Sequence, residues 1–329
     1  MQVFRPKFFT VIKSYNTDQF IKDLTAGIIV AIIALPLSIA LAIASGVSPE
    51  RGLYTAIIAG FLISFLGGSR VQIGGPTGAF MIIVYGIVTE YGMDGLIIST
   101  IMAGILLILM GVLQLGNLIR FIPYPITTGF TGGIALVIFT AQIKDFLGIS
   151  AENLPADFIG KWMAYFKNAG SLNWNSVILG IVCIMIIALW PKFNKKIPGS
   201  LIALIVATAA AYFLKLDIET IGSKYGELSS SLPMPSLPAI NLSTVKMLIR
   251  PAVTIALLGG IESLLSAVVA DGMIGGKHRS NTELIAQGIA NIASGIFGGI
   301  PATGAIARTA ANIKNGGRTP VAGMVHSLV

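Results

Sequence analysis

Charge is what this sequence has least of. Only 11% of its 329 residues are charged, against 54% hydrophobic, and the mean hydropathy is +0.85. Soluble domains carry roughly 25% charge, so an ordinary soluble domain is excluded and an integral membrane protein is indicated. Cysteine occurs once, at Cys183, which excludes an intramolecular disulfide. Histidine occurs twice, at His278 and His326, so there is no paired-histidine metal motif. A Walker loop with its lysine and a Gly-x-Ser-x-Gly elbow are also missing. The chain therefore does not read as an enzyme, and no resident cofactor is expected; energy for uphill work would come from an ion gradient. The net charge of +8 comes without any basic run interleaved with aromatics, so nucleic acid is set aside. A cleavable leader is not expected in Met1 to Gln19, which is mixed polar and aromatic.

What is present is a series of apolar stretches of membrane-spanning length, about 20 residues each. Residues 1–20 read as a cytoplasmic lead-in. Spans are expected at 23–44, 52–66, 94–113, 117–146, 177–190, 200–214, 251–271 and 280–297, the last opened by a capping box, Ser280-Asn281-Thr282-Glu283. The span 117–146 is interrupted at Pro123 and Pro125, and residues 150–173 lie outside. Residues 215–248 form an external connection between a first repeat, 21–214, and a partial second repeat, 249–329. With the N-terminus inside, the inner loops carry Arg70, Arg120, Lys192, Lys195, Lys196, Lys277, Arg279, Lys314 and Arg318. The outer loops carry Glu50, Glu90, Asp94, Asp145, Glu152, Asp157, Asp217, Glu219 and Glu227. That bias follows the positive-inside rule.

Two stretches break the apolar pattern in the same way. Gly74-Gly75-Pro76-Thr77-Gly78-Ala79 and Gly298-Gly299-Ile300-Pro301-Ala302-Thr303-Gly304-Ala305 both pass from glycine and proline into Thr-Gly-Ala. Each then starts a helix too short to cross a bilayer alone. The interval between the triplets, 226 residues, also separates Pro36 from Glu262. Seven spans lie between equivalent members, and an odd number inverts the second unit. Inverted repeats with interrupted segments in matching positions mark the site in many secondary transporters.

A helix that starts inside a membrane presents free N–H groups and partial positive charge to low dielectric. An anion site at the bilayer midplane follows, built from Thr77, Gly78 and Ala79 of one copy and Thr303, Gly304, Ala305, Ile306, Ala307 and Arg308 of the other. Arg308 either holds the anion through its guanidinium N–H groups or adds positive potential without contact. The plainer alternatives are a salt bridge to Glu262 or a snorkelling arginine. Arg308 and Glu262 read as the charged groups deep inside spans, where a charge costs at least about 2.5–3.5 kcal/mol. Glu262 can take up and release a proton. With Ser266 one helical turn on, it can alternatively anchor a sodium ion, or simply serve helix packing. Pro36 either kinks its helix or frees a carbonyl toward a cavity. His278 reads as a solvated loop residue, Asp271 as interfacial, and His326 receives no reading.

At these residues the sequence resembles the SulP (sulfate permease) anion transporters, the bacterial side of solute carrier family 26. The resemblance rests on Gly67-Gly68-Ser69-Arg70 with Gly75-Pro76-Thr77, on Ile261-Glu262-Ser263-Leu264-Leu265-Ser266, on Asn281-x-Glu283-Leu284-x-Ala286-Gln287-Gly288-x-x-Asn291, and on Ala307-Arg308-Thr309 before Gly316-Gly317-Arg318-Thr319-Pro320. It implies an all-α polytopic membrane protein with a seven-plus-seven inverted-repeat transporter fold, divided into core and gate domains. Substrate would sit between the third and tenth segments, with Pro36, Leu37 and Ala40 of the first segment closing the site. Leu37 stands where many relatives have glutamine, which makes the site drier. The resemblance also implies coupling through Glu262 and Ser266, to H+ or Na+; an elevator-like movement; a homodimer; and the bacterial inner membrane. The last three segments and a STAS domain would follow Val329, so the second repeat is expected to be incomplete here. The expected function is symport of sulfate, bicarbonate or a dicarboxylate. An uncoupled anion channel or exchanger on the same fold is the alternative. A nucleobase carrier is disfavoured by Arg308, because a neutral base gains little from a buried positive charge.

Overall fold

In lipid every backbone polar group must be satisfied within the protein, so a chain this apolar must be helical or form a closed barrel. The structure, a computed structural model, describes residues 4–121, 124–150, 154–155, 157–194, 197–226, 233–239 and 241–329. Its helices are α1 (Phe8–Val11), α2 (Thr17–Ala44), α3 (Pro49–Leu66), α4 (Met81–Val112), α5 (Tyr124–Leu147), α6 (Phe158–Lys167), α7 (Trp174–Phe193), α8 (Gly199–Phe213), α9 (Ile221–Tyr225), α10 (Leu242–Ile274), α11 (Ser280–Ile296), α12 (Ile306–Lys314) and α13 (Pro320–Leu328). Two short strands, β1 (Gly74–Gly75) and β2 (Thr303–Gly304), interrupt them. Among the described residues, α2, the run Gly78–Val112, α7 and α10 are long and apolar enough to cross a membrane.

Local chemistry sets the helix ends. The side chains of Asn16, Asn173 and Asn241 accept backbone N–H groups at the starts of α2, α7 and α10, the usual asparagine cap. Pro49 occupies the first turn of α3, where no donor is lost. Pro36 lies inside α2, which continues through it. The expected break between Glu90 and Asp94 falls at Gly92, whose φ of 70° and ψ of −172° divide α4 into two helical halves. Glycine is the residue that adopts this conformation without strain. The expected capping box at Ser280 to Glu283 does not form. Arg279 is the cap residue of α11 and makes no side-chain cap bond. Glu283 is fully buried and turned inward instead, because two backbone donors elsewhere claim it. Pro123, Glu152, Lys195, Lys196 and Glu227 lie outside the described residues.

The chain forms two compact units, residues 1–127 with 229–329, and residues 128–228. The first therefore draws helices from both proposed repeats. Its core joins α2, α4, α10 and α11 through Ala42, Phe80, Val84, Leu96, Leu107, Ile255 and Leu284. Glycines allow close approach: a Cβ on Gly104 would lie 2.6 Å from Gly288 O, and one on Gly288 would lie 2.5 Å from Gly104 O. Small residues at a helix crossing are how membrane helices gain contact without a hydrophobic driving force. In the second unit the hydroxyl of Tyr165 on α6 donates to Thr140 O of α5 at 3.1 Å, beside a small core of Ile149 and Tyr165.

Candidate anion site at two broken helices

The two broken stretches meet. β1 and β2 pair antiparallel, with Gly74 opposite Gly304 and Gly75 opposite Thr303. Ala305 N also donates to Ile73 O at 2.8 Å. Both helices that follow start from this pairing, one after Thr77 and the other after Ala305. The Thr-Gly-Ala triplets are thus not structural equivalents. Thr77 is an extended cap residue, whereas Thr303 and Gly304 are strand, and their helix starts two residues later than the match suggests.

Buried polar side chains satisfy the broken backbone. Glu283 accepts from Gly68 N at 2.8 Å and Ser69 N at 3.1 Å. Thr309 Oγ1 accepts from Ile73 N at 3.0 Å, and Asn312 Nδ2 donates to Val71 O at 2.8 Å. Asn291 holds the other stretch through both backbone groups of one residue, donating to Ala302 O at 2.8 Å and accepting from Ala302 N at 2.9 Å. Thr55 and Ser294 do the same for Ile300, through its N–H at 2.8 Å and its carbonyl at 2.7 Å. Gln72 Nε2 donates to both oxygens of Ser263, at 3.1 Å to the carbonyl and 3.0 Å to Oγ. A Cβ on Gly304 would fall on the Gln72 amide, so any larger residue there would displace Gln72 from Ser263.

The role of these groups was missed in the sequence, where Glu283, Asn291 and Thr309 entered only through motifs. Glu262 and Arg308 are not the only deep charges: Glu283 and Asp23 are both 0% exposed. The available signal was polar side chains one turn apart, Glu283, Gln287 and Asn291, inside an apolar helix. His278 is not simply solvated, since its Nδ1 lies 2.7 Å from Asp271 Oδ2.

The expected site residues gather around this scaffold. Thr77 Oγ1 donates to Glu262 Oε2 at 2.9 Å. Thr303 Oγ1 donates to Gly259 O at 2.9 Å, one turn earlier on α10. Ser266 Oγ is bonded to Thr309 Oγ1 at 3.4 Å rather than to Glu262. Arg308 is 2% exposed, so it does not snorkel, and no ion pair joins it to Glu262. Its Nη2 donates to Pro76 O, immediately before Thr77. Its Nε and Nη1 have no partner. Gly75, at φ +148°, leaves room for it: a Cβ there would lie 2.6 Å from Nη1. Thr77 and Thr303 are buried, while Gly78, Ala79, Glu262 and Ile306 are half-buried and Ala307 is exposed. On α2, which packs against α12, Pro36 and Ala40 are half-buried and Leu37 is exposed.

The arrangement concentrates hydrogen-bond donors. Two helix starts, one threonine hydroxyl and a guanidinium with free N–H groups converge, opposed by a single carboxyl. An oxyanion fits such a site, since charge-assisted donors in low dielectric bind it strongly.

Comparison with known proteins identifies the family and the fold. Residues 20–329 match the sulfate permease family model. The chain is 49% identical over 318 residues to the putative sulfate transporter YvdB of Bacillus subtilis, covering 96% of this chain and 60% of the relative. It is 32% identical over 317 residues to the bicarbonate transporter BicA of Picosynechococcus, covering 93% and 56%. It thus spans less than two thirds of either curated relative. Among solved structures, the transmembrane domain of a cyanobacterial BicA superposes with a TM-score of 0.82 at 30% identity, covering 95% of this chain and 81% of that one. The murine Slc26a9 anion transporter in an inward-facing state superposes with a TM-score of 0.84 at 21% identity, covering 98% and 58%, a likeness of fold.

Proposed function

This chain belongs to the sulfate permease family and has the all-α inverted-repeat fold of its solved relatives; from that premise we propose that it carries the substrate site of a secondary active anion transporter. The substrate is a small inorganic oxyanion of the sulfate or bicarbonate class, or a dicarboxylate. The single observation that carries the reading is Arg308, buried between the two broken helices with Nε and Nη1 unpartnered. A buried guanidinium with unused donors is costly unless an anion completes it.

Coupling enters through Glu262. Its carboxyl receives the Thr77 hydroxyl, which is also a candidate donor to substrate. An ionised Glu262 opposes an incoming anion and competes for Thr77. A protonated Glu262 no longer repels it. Anion and proton then bind together and cross together, as symport requires. Sodium is the second reading, anchored by Glu262 and Ser266; the bond from Ser266 to Thr309 favours the proton. Movement would be elevator-like, in a homodimer of the full-length protein in the bacterial inner membrane, with the N-terminus cytoplasmic.

The test is uptake of sulfate, bicarbonate and succinate by proteoliposomes of the full-length protein, under imposed proton or sodium gradients. Gradient-driven accumulation of one of them is expected. No uptake under any gradient would overturn the proposal. Glu262→Gln should abolish the response to the proton gradient; unchanged anion flux in that variant would favour an uncoupled channel or exchanger.

A further inference from the structure

His326 is a buried polar side chain that this transport cycle does not use. It lies on α13, 5% exposed, and neither Nδ1 nor Nε2 has a hydrogen-bond partner. Buried polar groups in native proteins are nearly always satisfied, by protein or by ordered water.

Its neighbours fix where the ring points. Val325 presses on α2, where a Cβ on Gly27 would lie 2.7 Å from Val325 Cβ. Ser327 presses on α3, where a Cβ on Gly60 would lie 2.7 Å from Ser327 Oγ. With 3.6 residues per turn, and with Ala322 also against Gly27 and Gly323 against Ser64, His326 falls between the two faces. The ring therefore enters the crevice between α2 and α3. β1 closes that crevice, since Gly74 O lies 3.2 Å from the same Gly60 position. Arg308 reaches the next residue, Gly75, where a Cβ would lie 2.6 Å from its Nη1, so the guanidinium and the ring approach the same strand. The charged groups described on the two flanking helices are engaged or placed elsewhere. On α2, Asp18 pairs with Lys22 and Asp23 is engaged by Tyr15, Gln19, Arg318 and Thr319. On α3, Glu50 and Arg51 lie in the first turn, at the opposite end from Gly60 and Ser64.

Arg308 has two unpartnered donors and His326 two unpartnered nitrogens. A neutral imidazole offers one acceptor. A protonated ring would instead place a second buried cation beside Arg308. Ser64 Oγ, also unpartnered, stands one turn along α13 from the ring. A buried water typically needs two to four polar partners, and these groups supply them.

We propose that His326 is a positioning residue for the anion site: its neutral ring accepts from Arg308 through one buried water, and fixes the guanidinium facing the two helix starts. This rests on the reading of Arg308 as the anion ligand.

The experiment measures sulfate and bicarbonate uptake by the full-length protein carrying His326→Phe, His326→Gln, Arg308→Gln, or Arg308→Gln with His326→Phe. His326→Phe should raise KM about tenfold, the equivalent of about 1.4 kcal/mol, with turnover little changed. His326→Gln, which keeps an acceptor, should restore KM to near the original. The double variant should be no worse than Arg308→Gln alone, because the two residues act as one unit. If Arg308→Gln raises KM and His326→Phe does not, or if the two effects multiply, the positioning role is overturned while the anion site stands. If Arg308→Gln leaves KM unchanged, both readings fall. A high-resolution density map of the wild-type protein decides the matter should the Phe variant not accumulate. A water peak between Arg308 and His326 supports the proposal, and a ring bonded elsewhere overturns it.

Discussion

Arg308 is held to the protein by one bond to Pro76 O, with two donors left over. A hydrogen bond to a charged group contributes roughly 1.5–3 kcal/mol. Arg308→Gln should therefore weaken anion binding about 10- to 100-fold, measured as KM in uptake or by calorimetry on purified protein; unchanged affinity would exclude direct coordination. Thr77 makes a sharper case, since its hydroxyl already serves Glu262 at 2.9 Å. Thr77→Ser keeps that donor and should behave like the parent protein. Thr77→Val removes it and should change both anion affinity and the dependence of uptake on the proton gradient. A valine variant indistinguishable from the parent in both would show that the hydroxyl only packs. At this scale the sequence was informative about kind and less so about partners. Arg308 and Glu262 stood out because charge is scarce in lipid. That Thr77 and not Ser266 would meet Glu262 depends on how two distant segments cross, which no local pattern encodes.

Broken helices create a satisfaction problem, and the elements around them are built to solve it. Each interruption exposes peptide groups inside an apolar core, where water is scarce. Glu283, Asn291, Thr309 and Asn312 supply the missing partners. Asn291 satisfies both ends of Ala302, so Asn291→Ala strands two buried groups at about 1–3 kcal/mol each. A marked fall in the unfolding midpoint of purified protein is expected. Asn315→Ala is the control: Asn315 is half-buried and donates only to Ala311 O of its own helix, and its midpoint should barely move. Equal midpoints for the two variants would argue against this account. The interruptions were legible in the sequence because glycine and proline cluster there and together break a helix, which Pro36 alone does not do in α2. The break at Gly92 was bracketed in the sequence by Glu90 and Asp94, though the glycine itself was not singled out. The offset between the Thr-Gly-Ala copies was not. Identity of three small residues says nothing about which one begins the helix, and here strand pairing delays the second start. The capping box at Ser280 failed for a related reason, since a carboxylate with two buried backbone donors to satisfy is not free to fold back on its own helix.

Basic residues gather at one end of the first unit. At one end Arg5, Lys7, Arg70 and Arg279 come together. Lys7 N donates to Gly67 O and Arg279 N to Gly68 O, each at about 3 Å, and Arg279 Nη1 donates to Arg5 O at 2.8 Å. Burial, followed by the charges of Arg279 and Arg70, pushes the Lys7 ammonium below its ordinary value. That direction is expected of a cation held among cations. At the other end Glu50 and Asp94 line a cavity of about 330 Å³ together with Arg51, Met234 and Phe297. A membrane protein so polarised should sit with its basic end in the cytoplasm. The span count inferred from hydropathy makes the same demand, because one miscounted segment would exchange the sides of every later loop. Single cysteines at Lys277 and Asp94, both exposed, test this in a Cys183→Ser background. A membrane-impermeant maleimide added to intact cells should label Asp94→Cys. It should reach Lys277→Cys only in inverted vesicles or after permeabilisation. The opposite pattern would invert the topology, and labelling of both from one side would show that an odd number of crossings does not separate them. In either case the charge polarity of the unit would need another cause, and the direction in which an anion and its coupling proton traverse the site would have to be assigned afresh.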